Sequence, residues 1–326
     1  MNRFMQFKET ILLLGGNGFI GSNIINFIAK SDEFSNYKFV VLSRSNVINT
    51  NEKFDYVIGD YGDKNVLISL FSKWNFTKVF HCATSTTPLS SNNNIIRDIN
   101  GNLIATIGLL DVMKDFGCYS IIYLSSGGAV YGEKKTGKIS EDEICYPVSS
   151  YGVVKLTIEN YIRLYKKQFG INYLILRVSN PFGKFHASEN QGIINIAVRR
   201  ALRGQTVEVW GDGMQSKDYI FADDLVDIIF QLIKKGITNK TINVGSGEIY
   251  ELNGILDIIR NHLPSLEVKY VDAIKTDVKD FCLDISLMQS LGDFKFTKFE
   301  EAIRQTILFE KKQLGLNKKS HPNKSI

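Results

Sequence analysis

Several residue types are scarce in this sequence, and each scarcity excludes a class of protein. The chain has 326 residues but only five prolines and four cysteines, and the cysteines lie far apart, without the spacing of a metal site or a disulfide framework. No apolar run reaches the roughly 18 residues of a membrane-spanning helix, and no signal-peptide pattern begins the chain. We therefore expect a cytoplasmic protein with reduced thiols, no bound metal and no membrane partner.

An excess of charge of one sign is also missing. The formal net charge of +5 is spread along the chain, apart from a lysine-rich end, QLGLNKKSHPNKSI. Because a nucleic-acid-binding protein concentrates its basic residues on one surface, we expect no nucleic-acid partner. The lysine-rich end, residues 313–326, is predicted to be a flexible tail.

Short apolar runs alternate with helical patterns in the first half of the chain. Strands are predicted for ILLL (11–14), KFVVL (38–42), KVFHC (78–82), SIIYL (120–124) and YLILRV (173–178), and helices for the segments 23–30, 64–73, 102–116 and 151–169. This alternation indicates an α/β fold with a doubly wound parallel sheet. After residue 180 shorter elements follow, with strands near 207–210, 241–245 and 266–271 and helices near 191–203, 222–234 and 252–262.

A glycine-rich segment, LLLGGNGFIGS, follows the first predicted strand and opens a helix. Gly15, Gly18 and Gly21 permit a tight turn and let the backbone approach a pyrophosphate, whose charge is stabilised by the N–H groups at the start of the helix. Phe19 and Ile20, in the same segment, are predicted to contact the coenzyme. The motif predicts a Rossmann-type dinucleotide-binding domain.

The end of the second predicted strand, VVLSRS, bears on which coenzyme is bound. A protein that prefers NAD usually has an acidic residue here to bind the ribose 2′-hydroxyl, whereas arginine matches a 2′-phosphate. This chain has Ser43 and Arg44, so NADP(H) is favoured and NAD(H) is the alternative. Asp60 and Tyr61, where the third strand would end, are predicted to lie near the adenine, although Asp60 could instead cap the next helix.

Two further segments predict acid–base chemistry. In SSYGVVK, Tyr151 and Lys155 are four residues apart and share one face of a helix, where the lysine ammonium is expected to lower the pKa of the phenol. In LSSGGAVYG, at the end of a strand, a serine hydroxyl could bind the same substrate oxygen. A Ser/Tyr/Lys set beside a nicotinamide predicts hydride transfer to or from a carbonyl carbon.

With these motifs, the chain resembles the nucleotide-sugar epimerase, dehydratase and reductase family of the extended short-chain dehydrogenase/reductases. The resemblance runs from about Ile11 to about Glu310 and rests on an ordered set of segments: GGNGFIG, HCAT, NLIATIGLL, SSGGAVYG, SYGVVK, LRVSNPFG and WGDGMQSKDYIFADDL. It implies a coenzyme domain at 1–178, with some later elements returning to it, and a mainly nucleotide-sugar-binding lobe at 179–312. It also implies a homodimer formed through the helices near 102–116 and 151–169.

The resemblance also implies roles for individual residues. Tyr151 would be the catalytic acid/base, Lys155 would tune it and bind the nicotinamide ribose, and Ala83 in HCAT would line the coenzyme site. Asn102 would be structural or close to the coenzyme. On the substrate side, Asn180 would reach the diphosphate, Trp210 would lie near the nucleotide base, and Lys217 would stand where the family usually has arginine, without the bidentate fork of that side chain.

One departure from the family pattern concerns the catalytic hydroxyl. The position that usually carries serine or threonine is Gly127 in this chain, and Ser126 precedes it. We predict that Ser126 supplies the catalytic hydroxyl and contacts the substrate together with Tyr151. Ser125 is not expected to contact the substrate. The residues after it are Gly127, Gly128 and Ala129 rather than the Asp-Glu of the dehydratases, so 4,6-dehydration is not expected.

Three functions remain open on the sequence. A 4-ketoreductase of an NDP-4-keto-6-deoxyhexose, for example a dTDP-4-dehydro-6-deoxyglucose reductase, is favoured because Ser43 and Arg44 suit NADPH. A UDP-hexose 4-epimerase, acting on UDP-glucose or UDP-N-acetylglucosamine, is the alternative, and a non-catalytic coenzyme-binding protein is the third.

Of the histidines, His81 is expected to pack at the edge of the coenzyme domain and His186 to be an exposed loop residue with a possible substrate contact.

Overall fold

The computed structural model of the chain describes residues 9–45, 51–133, 137–272 and 280–316. The predicted tail is only partly covered by these ranges. Gln313 still belongs to the last helix, and residues 317–326 lie outside the described residues.

Strands and helices alternate along the chain. The strands are β1 (Glu9–Leu14), β2 (Tyr37–Ser43), β3 (Phe54–Ile58), β4 (Lys78–His81), β5 (Ser120–Ser126), β6 (Asn172–Val178), β7 (Asn180–Phe182), β8 (Val207–Trp210), β9 (Ser216–Phe221), β10 (Lys240–Val244), β11 (Ile249–Glu251), β12 (Val268–Val271) and β13 (Asp280–Phe281). The helices are α1 (Phe19–Lys30), α2 (Lys64–Lys73), α3 (Pro88–Ser91), α4 (Ile95–Asp98), α5 (Ala105–Asp115), α6 (Gly127–Val130), α7 (Ser150–Phe169), α8 (Ile193–Leu202), α9 (Ala222–Lys234), α10 (Leu252–His262), α11 (Ser286–Ser290) and α12 (Phe299–Gln313). A 3₁₀ turn covers Asp32–Phe34, and a π-helix at Ile99–Ile104 joins α4 to α5.

Within the described residues the main sheet has seven parallel strands in the order β10-β6-β5-β4-β1-β2-β3. The central strands are apolar on both faces, as in Leu12–Leu14 and Val40–Leu42, which are almost completely buried, because helices cover both sides. The predicted doubly wound α/β fold is confirmed. The strand order reverses between β1 and β4, so the loops after these two strands diverge and leave a crevice at the carboxyl edge of the sheet.

Separate apolar cores fill the two faces of the main sheet. One contains side chains of α1, α9 and α11, and in it the rings of Phe27 and Phe230 stack with their centroids 5.0 Å apart. The other contains side chains of α2, α5 and α7. Since α7 is held by this second core, the polar residues near its start, Tyr151 and Lys155, are fixed next to the end of β5.

The later part of the chain forms a smaller lobe with its own core. In this lobe β9 pairs with β7, β11 and β13, β8 pairs with β12, and the apolar faces of α8, α10 and α12 close the core. Strand β10 leaves the lobe and pairs with β6 at the edge of the main sheet. Among the described residues, no helix is both long and apolar enough to cross a membrane.

The elements that the periodicity did not predict include β9 and α12. The buried side of α12 includes polar residues, Thr306 and Glu310, next to Ile303 and Ile307, so its apolar pattern is interrupted. Glu310 is buried because it pairs with Arg199 of α8 at 3.0 Å. A partner more than a hundred residues away cannot be read from local spacing.

Candidate active site

A cavity of about 1440 Å³ lies over the carboxyl edge of the main sheet, between the sheet and the smaller lobe. It is lined by all but one of the residues predicted for catalysis, coenzyme binding or substrate binding: Gly15, Gly18, Phe19, Ile20, Ser43, Arg44, Asp60, Tyr61, Ala83, Ser126, Tyr151, Lys155, Asn180, Trp210 and Lys217. The exception is Gly21, which lies beneath the glycine-rich loop. The fold thus gathers residues from positions 15 to 217 around one space.

The glycine-rich loop is packed so tightly that side chains would not fit. Gly15 has a φ of 80°, and a Cβ there would lie 2.8 Å from the backbone of Ala83. A Cβ on Gly21 would lie 2.2 Å from the carbonyl oxygen of Gly15. Gly18, the N-cap of α1, has no side chain to accept from the first N–H groups of that helix. These groups are left to a ligand, so the loop fits a coenzyme pyrophosphate.

The end of β2 carries a small network of hydroxyl and amide groups. Asn17 Nδ2 donates to Ser43 Oγ at 3.0 Å, and Ser43 Oγ donates to the carbonyl oxygen of Ser45 at 2.6 Å. Arg44 is exposed beside them and lines the cavity. The sequence has no acidic residue between this point and Glu52. Asn17, which the motif had not singled out, therefore shapes the end of the cavity at which Arg44 lies.

Across from Arg44, the loop after β3 forms the neighbouring wall. Asp60 Oδ1 accepts from the backbone N–H of Gly62 at 2.8 Å, and Tyr61 donates its hydroxyl to the carbonyl oxygen of Gly101 at 2.9 Å. The N-cap of α2 is Asp63, which accepts from the N–H of Asn65. Asp60 is thus not needed to cap this helix.

Tyr151, Lys155 and Ser126 come together as the sequence predicts. The hydroxyl of Ser126 shares a hydrogen bond with the phenol of Tyr151. Lys155 is 7% exposed, and its Nζ donates to the carbonyl oxygen of Leu124 at 2.8 Å. The same Nζ lies 5.6 Å from the ring centroid of Tyr151 and 4.8 Å from that of Tyr123.

The prediction that the pKa of Tyr151 is lowered is wrong. Burial raises the pKa of Tyr151 to about 12; the hydrogen bond from Ser126 opposes this shift, and the charge of Asp98 adds to it. Burial lowers the pKa of Lys155 to about 8, against the influence of Cys82, Glu159 and Asp98. Desolvation is the largest influence on the pKa of both groups, and the Lys155 ammonium is directed at the Leu124 carbonyl. Among the chain's own groups, Tyr151 is therefore held in its protonated form.

The neighbouring serine, Ser125, has a different environment. It is 5% exposed and donates to Glu159 Oε1 at 2.6 Å. Glu159 is fully buried one helical turn beyond Lys155, and Arg177 of β6 donates to it with both Nε and a terminal nitrogen, the latter at 2.8 Å. Both serines line the cavity, but the hydroxyl of Ser125 is bonded to Glu159 and fastens β5 to α7.

The packing around position 127 explains why this residue is glycine. Gly127 begins α6, and it is not among the residues with positive φ. A Cβ at this position would lie 3.0 Å from both terminal methyl groups of Leu283 and 3.3 Å from the carbonyl oxygen of Arg177. Leu283 fills the space that a serine or threonine side chain would need.

The residues expected on the substrate side line the opposite end of the cavity. Asn180 donates its Nδ2 to the carbonyl oxygen of Asp218 at 2.8 Å, which links β7 to β9. Trp210, at the end of β8, is 43% exposed, and Lys217 lies on β9. Both line the cavity, and their contacts with a substrate remain predictions.

The predicted locations of two histidines are wrong, although His186 lines the cavity and its contact with a substrate stays a prediction. His186 is 8% exposed rather than on the surface, and its ring packs edge-on against Phe19 with centroids 4.6 Å apart. Burial and the charge of Arg199 lower its pKa to about 4. His81 lies on β4 in the middle of the sheet, not at an edge, and its Nε2 is 2.9 Å from Thr106 Oγ1. Burial lowers the pKa of His81 to about 3.

Comparison with known proteins agrees with this geometry. Residues 11–245 match the model of the NAD dependent epimerase/dehydratase family. The chain is 32% identical to the "Putative UDP-glucose 4-epimerase" of Methanocaldococcus jannaschii, over 91% of this chain and 97% of that protein. It is 31% identical to a dTDP-4-dehydro-6-deoxyglucose reductase of Escherichia coli, over 87% of this chain and 92% of the other.

A solved structure of a nucleotide-sugar enzyme has the same fold. The UDP-glucose 4-epimerase of Thermotoga maritima with UDP-glucose superposes with a TM-score of 0.87 at 28% identity, covering 94% of this chain and 99% of that one. The region matched by the family model contains the glycine-rich loop, Tyr151 and Lys155. The chain therefore belongs to the NAD-dependent epimerase/dehydratase family, the nucleotide-sugar enzymes among the extended short-chain dehydrogenase/reductases.

Proposed function

We propose that this protein is an NADPH-dependent 4-ketoreductase of a nucleotide-activated 4-keto-6-deoxyhexose. The observation that carries the proposal is that one cavity is lined by two sets of residues, one suited to the coenzyme and one to the substrate. At one end, Ser43 and exposed Arg44 suit a 2′-phosphate and no acidic residue follows them before Glu52. The same cavity also contains Tyr151 and Ser126, which suit a carbonyl oxygen. The relative in Escherichia coli, a dTDP-4-dehydro-6-deoxyglucose reductase, supports the choice of substrate.

The residues of the chain divide the chemistry between them. A bound NADPH would supply the hydride that reduces the C4 carbonyl carbon. Tyr151, with its pKa raised to about 12 by burial, stays protonated and donates its proton to the carbonyl oxygen. Ser126 donates a hydrogen bond to the same oxygen. Lys155 provides positive charge close to Tyr151 while the phenol loses its proton. Asn180, Trp210 and Lys217 would hold the diphosphate and base of the sugar nucleotide.

A UDP-hexose 4-epimerase is the second candidate. It is favoured by the names of the Methanocaldococcus jannaschii relative and the Thermotoga maritima structure. An epimerase first removes a hydride from C4 and a proton from the C4 hydroxyl, and then returns the hydride to the other face of the keto sugar and the proton to its oxygen, so it needs Tyr151 to act as a base as well. An epimerase regenerates its coenzyme within each cycle, whereas a reductase consumes NADPH. Net consumption of NADPH therefore separates the two candidates.

The reaction is tested by incubating the purified protein with NADPH and two substrate panels, nucleotide-linked 4-keto-6-deoxyhexoses and ordinary UDP-hexoses. We expect net loss of absorbance at the nicotinamide band with a 4-keto-6-deoxy substrate and none with UDP-hexoses. The Tyr151→Phe variant is the control and should be slower by about two to four orders of magnitude. Interconversion of UDP-hexoses without loss of NADPH would establish the epimerase instead, and no turnover on either panel would favour a non-catalytic protein.

The coenzyme preference is tested with Arg44→Ala. Removing the guanidinium should weaken NADPH binding by about tenfold to a hundredfold, because a charge-assisted hydrogen bond to the 2′-phosphate is lost. NADH, which has no such phosphate, serves as the internal control and should bind the variant within about threefold of the wild type. Fluorescence titration of both coenzymes gives the two dissociation constants, and equal losses would remove Arg44 from recognition of the 2′ position.

The two serines at the end of β5 form a matched pair of variants. Ser126→Ala should lower kcat by about a hundredfold with little change in stability, because a donor to the substrate oxygen is lost. Ser125→Ala should lower the free energy of unfolding by about 2 kcal/mol, because Glu159 loses a hydrogen bond, and should leave kcat within about fivefold. Urea unfolding and steady-state kinetics measure both effects. The reverse pattern would assign the substrate contact to Ser125.

We also propose that the protein is a homodimer joined through α5 and α7. Exposed apolar residues lie on this side of the molecule, among them Ile104, Val153 and Leu164. A Cβ on Gly108 of α5 would meet no atom within 4 Å, which leaves room for a partner helix to approach. Since α5 and α7 pack side by side, the two pairs from two copies can form a four-helix contact.

The dimer is tested by light scattering during size-exclusion chromatography. The wild type should elute with about twice the 36.8 kDa mass of the chain, and Leu164→Glu should elute as a monomer because the carboxylate is buried in the interface. Leu308→Glu is the control, since Leu308 on α12 is similarly exposed, 46% against 40% for Leu164. A monomeric wild type, or equal behaviour of the two variants, would contradict this interface.

A further inference from the structure

Asp98 is a fully buried carboxylate close to Tyr151 that has no part in the chemistry described above. Its Oδ1 accepts hydrogen bonds from Thr86 Oγ1 at 2.5 Å and Asn102 Nδ2 at 2.8 Å. Its Oδ2 accepts from the hydroxyl of Ser150 at 2.7 Å. One carboxylate therefore joins the loop after β4, the π-helix and the first residue of α7.

The segment around Asp98 also caps the helix that carries Tyr151. The backbone N–H of Ser150 donates to Asn92 Oδ1 at 2.9 Å, and that of Tyr151 donates to Ser91 Oγ at 3.1 Å. The first N–H groups of a helix have no partner within the helix. Here two of them are satisfied by side chains from the α3–α4 segment, so the position of the first turn of α7 depends on that segment.

The π-helix lets the same segment reach the cavity wall. It begins directly after Asp98 and contains Asn102, whose Oδ1 accepts from the backbone N–H of Ser85 at 2.8 Å. A π-helix widens the turn and often occurs where a side chain must be placed for function. Through Asn102 and Thr86, Asp98 is connected to the loop of residues 83–87, which lines the cavity beside Tyr151.

We propose that Asp98 is a positioning residue that sets the place of Tyr151 in the cavity by holding Ser150 on one side and Thr86 and Asn102 on the other. Asp98 touches neither substrate nor coenzyme and acts through these three residues. Its charge has a second, smaller effect, since it raises the pKa of both Tyr151 and Lys155. Among the described residues, Glu159 and Cys82 also act on Lys155, and Tyr123 and His81 interact with the pair. Removing Asp98 therefore leaves Lys155 near the buried carboxylate of Glu159.

Three variants separate position from charge. Ser150→Ala removes the bond to α7 and keeps the carboxylate. Asp98→Asn removes the charge and keeps the shape, because an amide can accept from Thr86 and Asn102 with its oxygen and donate to Ser150 with its nitrogen. Asp98→Ala removes all three bonds.

A matched control comes from the other end of the same helix. Tyr165 of α7 donates its hydroxyl to Asp111 of α5 at 2.8 Å, which is the same kind of hydroxyl–carboxylate contact. It lies 14 residues after Tyr151, about 21 Å along the helix axis. Tyr165→Phe therefore removes a comparable bond without touching the first turn of α7.

The first measurement is amide hydrogen exchange of residues 149–153, which needs no substrate. We expect exchange to become faster by about tenfold in Ser150→Ala and by more in Asp98→Ala, because local opening of the first turn becomes easier. Asp98→Asn and Tyr165→Phe should stay within about threefold of the wild type. Unchanged exchange in both Ser150→Ala and Asp98→Ala would overturn the proposal.

The second measurement rests on the proposed reductase reaction and compares kcat with KM. Ser150→Ala should lower kcat by about tenfold to a hundredfold with KM nearly unchanged, because Tyr151 is displaced while the binding residues are untouched. Asp98→Asn should restore most of the kcat lost in Asp98→Ala, and a kcat as low as that of the alanine variant would overturn positioning as the role. A wild type inactive on both substrate panels would refute the reductase, and hydrogen exchange would still decide the role of Asp98.

Discussion

The buried ion pair between Glu159 and Arg177 is the interaction on which the geometry of the site depends. Glu159 lies one turn from Lys155 on α7, Arg177 lies on β6, and Ser125 joins the pair from β5. Because an unpaired carboxylate would be very unfavourable at this depth, the helix has a single stable position over the two strands. That position brings the Lys155 ammonium to the Leu124 carbonyl and the Tyr151 phenol to Ser126.

The same network reaches the edge of the main sheet. Arg177 donates to the hydroxyl of Tyr131 at 2.9 Å, and Tyr131 donates to Asn243 Oδ1 of β10 at 2.7 Å. The strand that arrives last in the sheet is thereby joined to the loop that follows Ser126. Buried polar networks of this kind are stable only when every member has its partner, so the site, α7 and β10 form one structural unit.

Features with a local signal were predictable from the sequence, and those with distant partners were not. The glycine-rich loop and the pair Tyr151–Lys155 depend on spacings of three and four residues, and the parallel sheet depends on alternating apolar runs. Glu159 and Asp98 are buried by partners in other elements, such as Arg177 and Ser150, and His186 lies in a loop, where a histidine is ordinarily exposed. The pKa of Tyr151 was misjudged for a related reason, since burial is a property of the whole fold.

Because β10 returns to the main sheet, that sheet is built from both halves of the chain. A chain that ended after Val178 would lack β10 and would leave β6, with its buried Leu174 and Leu176, as an open edge. Such an edge pairs readily with other chains. The two halves therefore cannot be exchanged between relatives as independent modules.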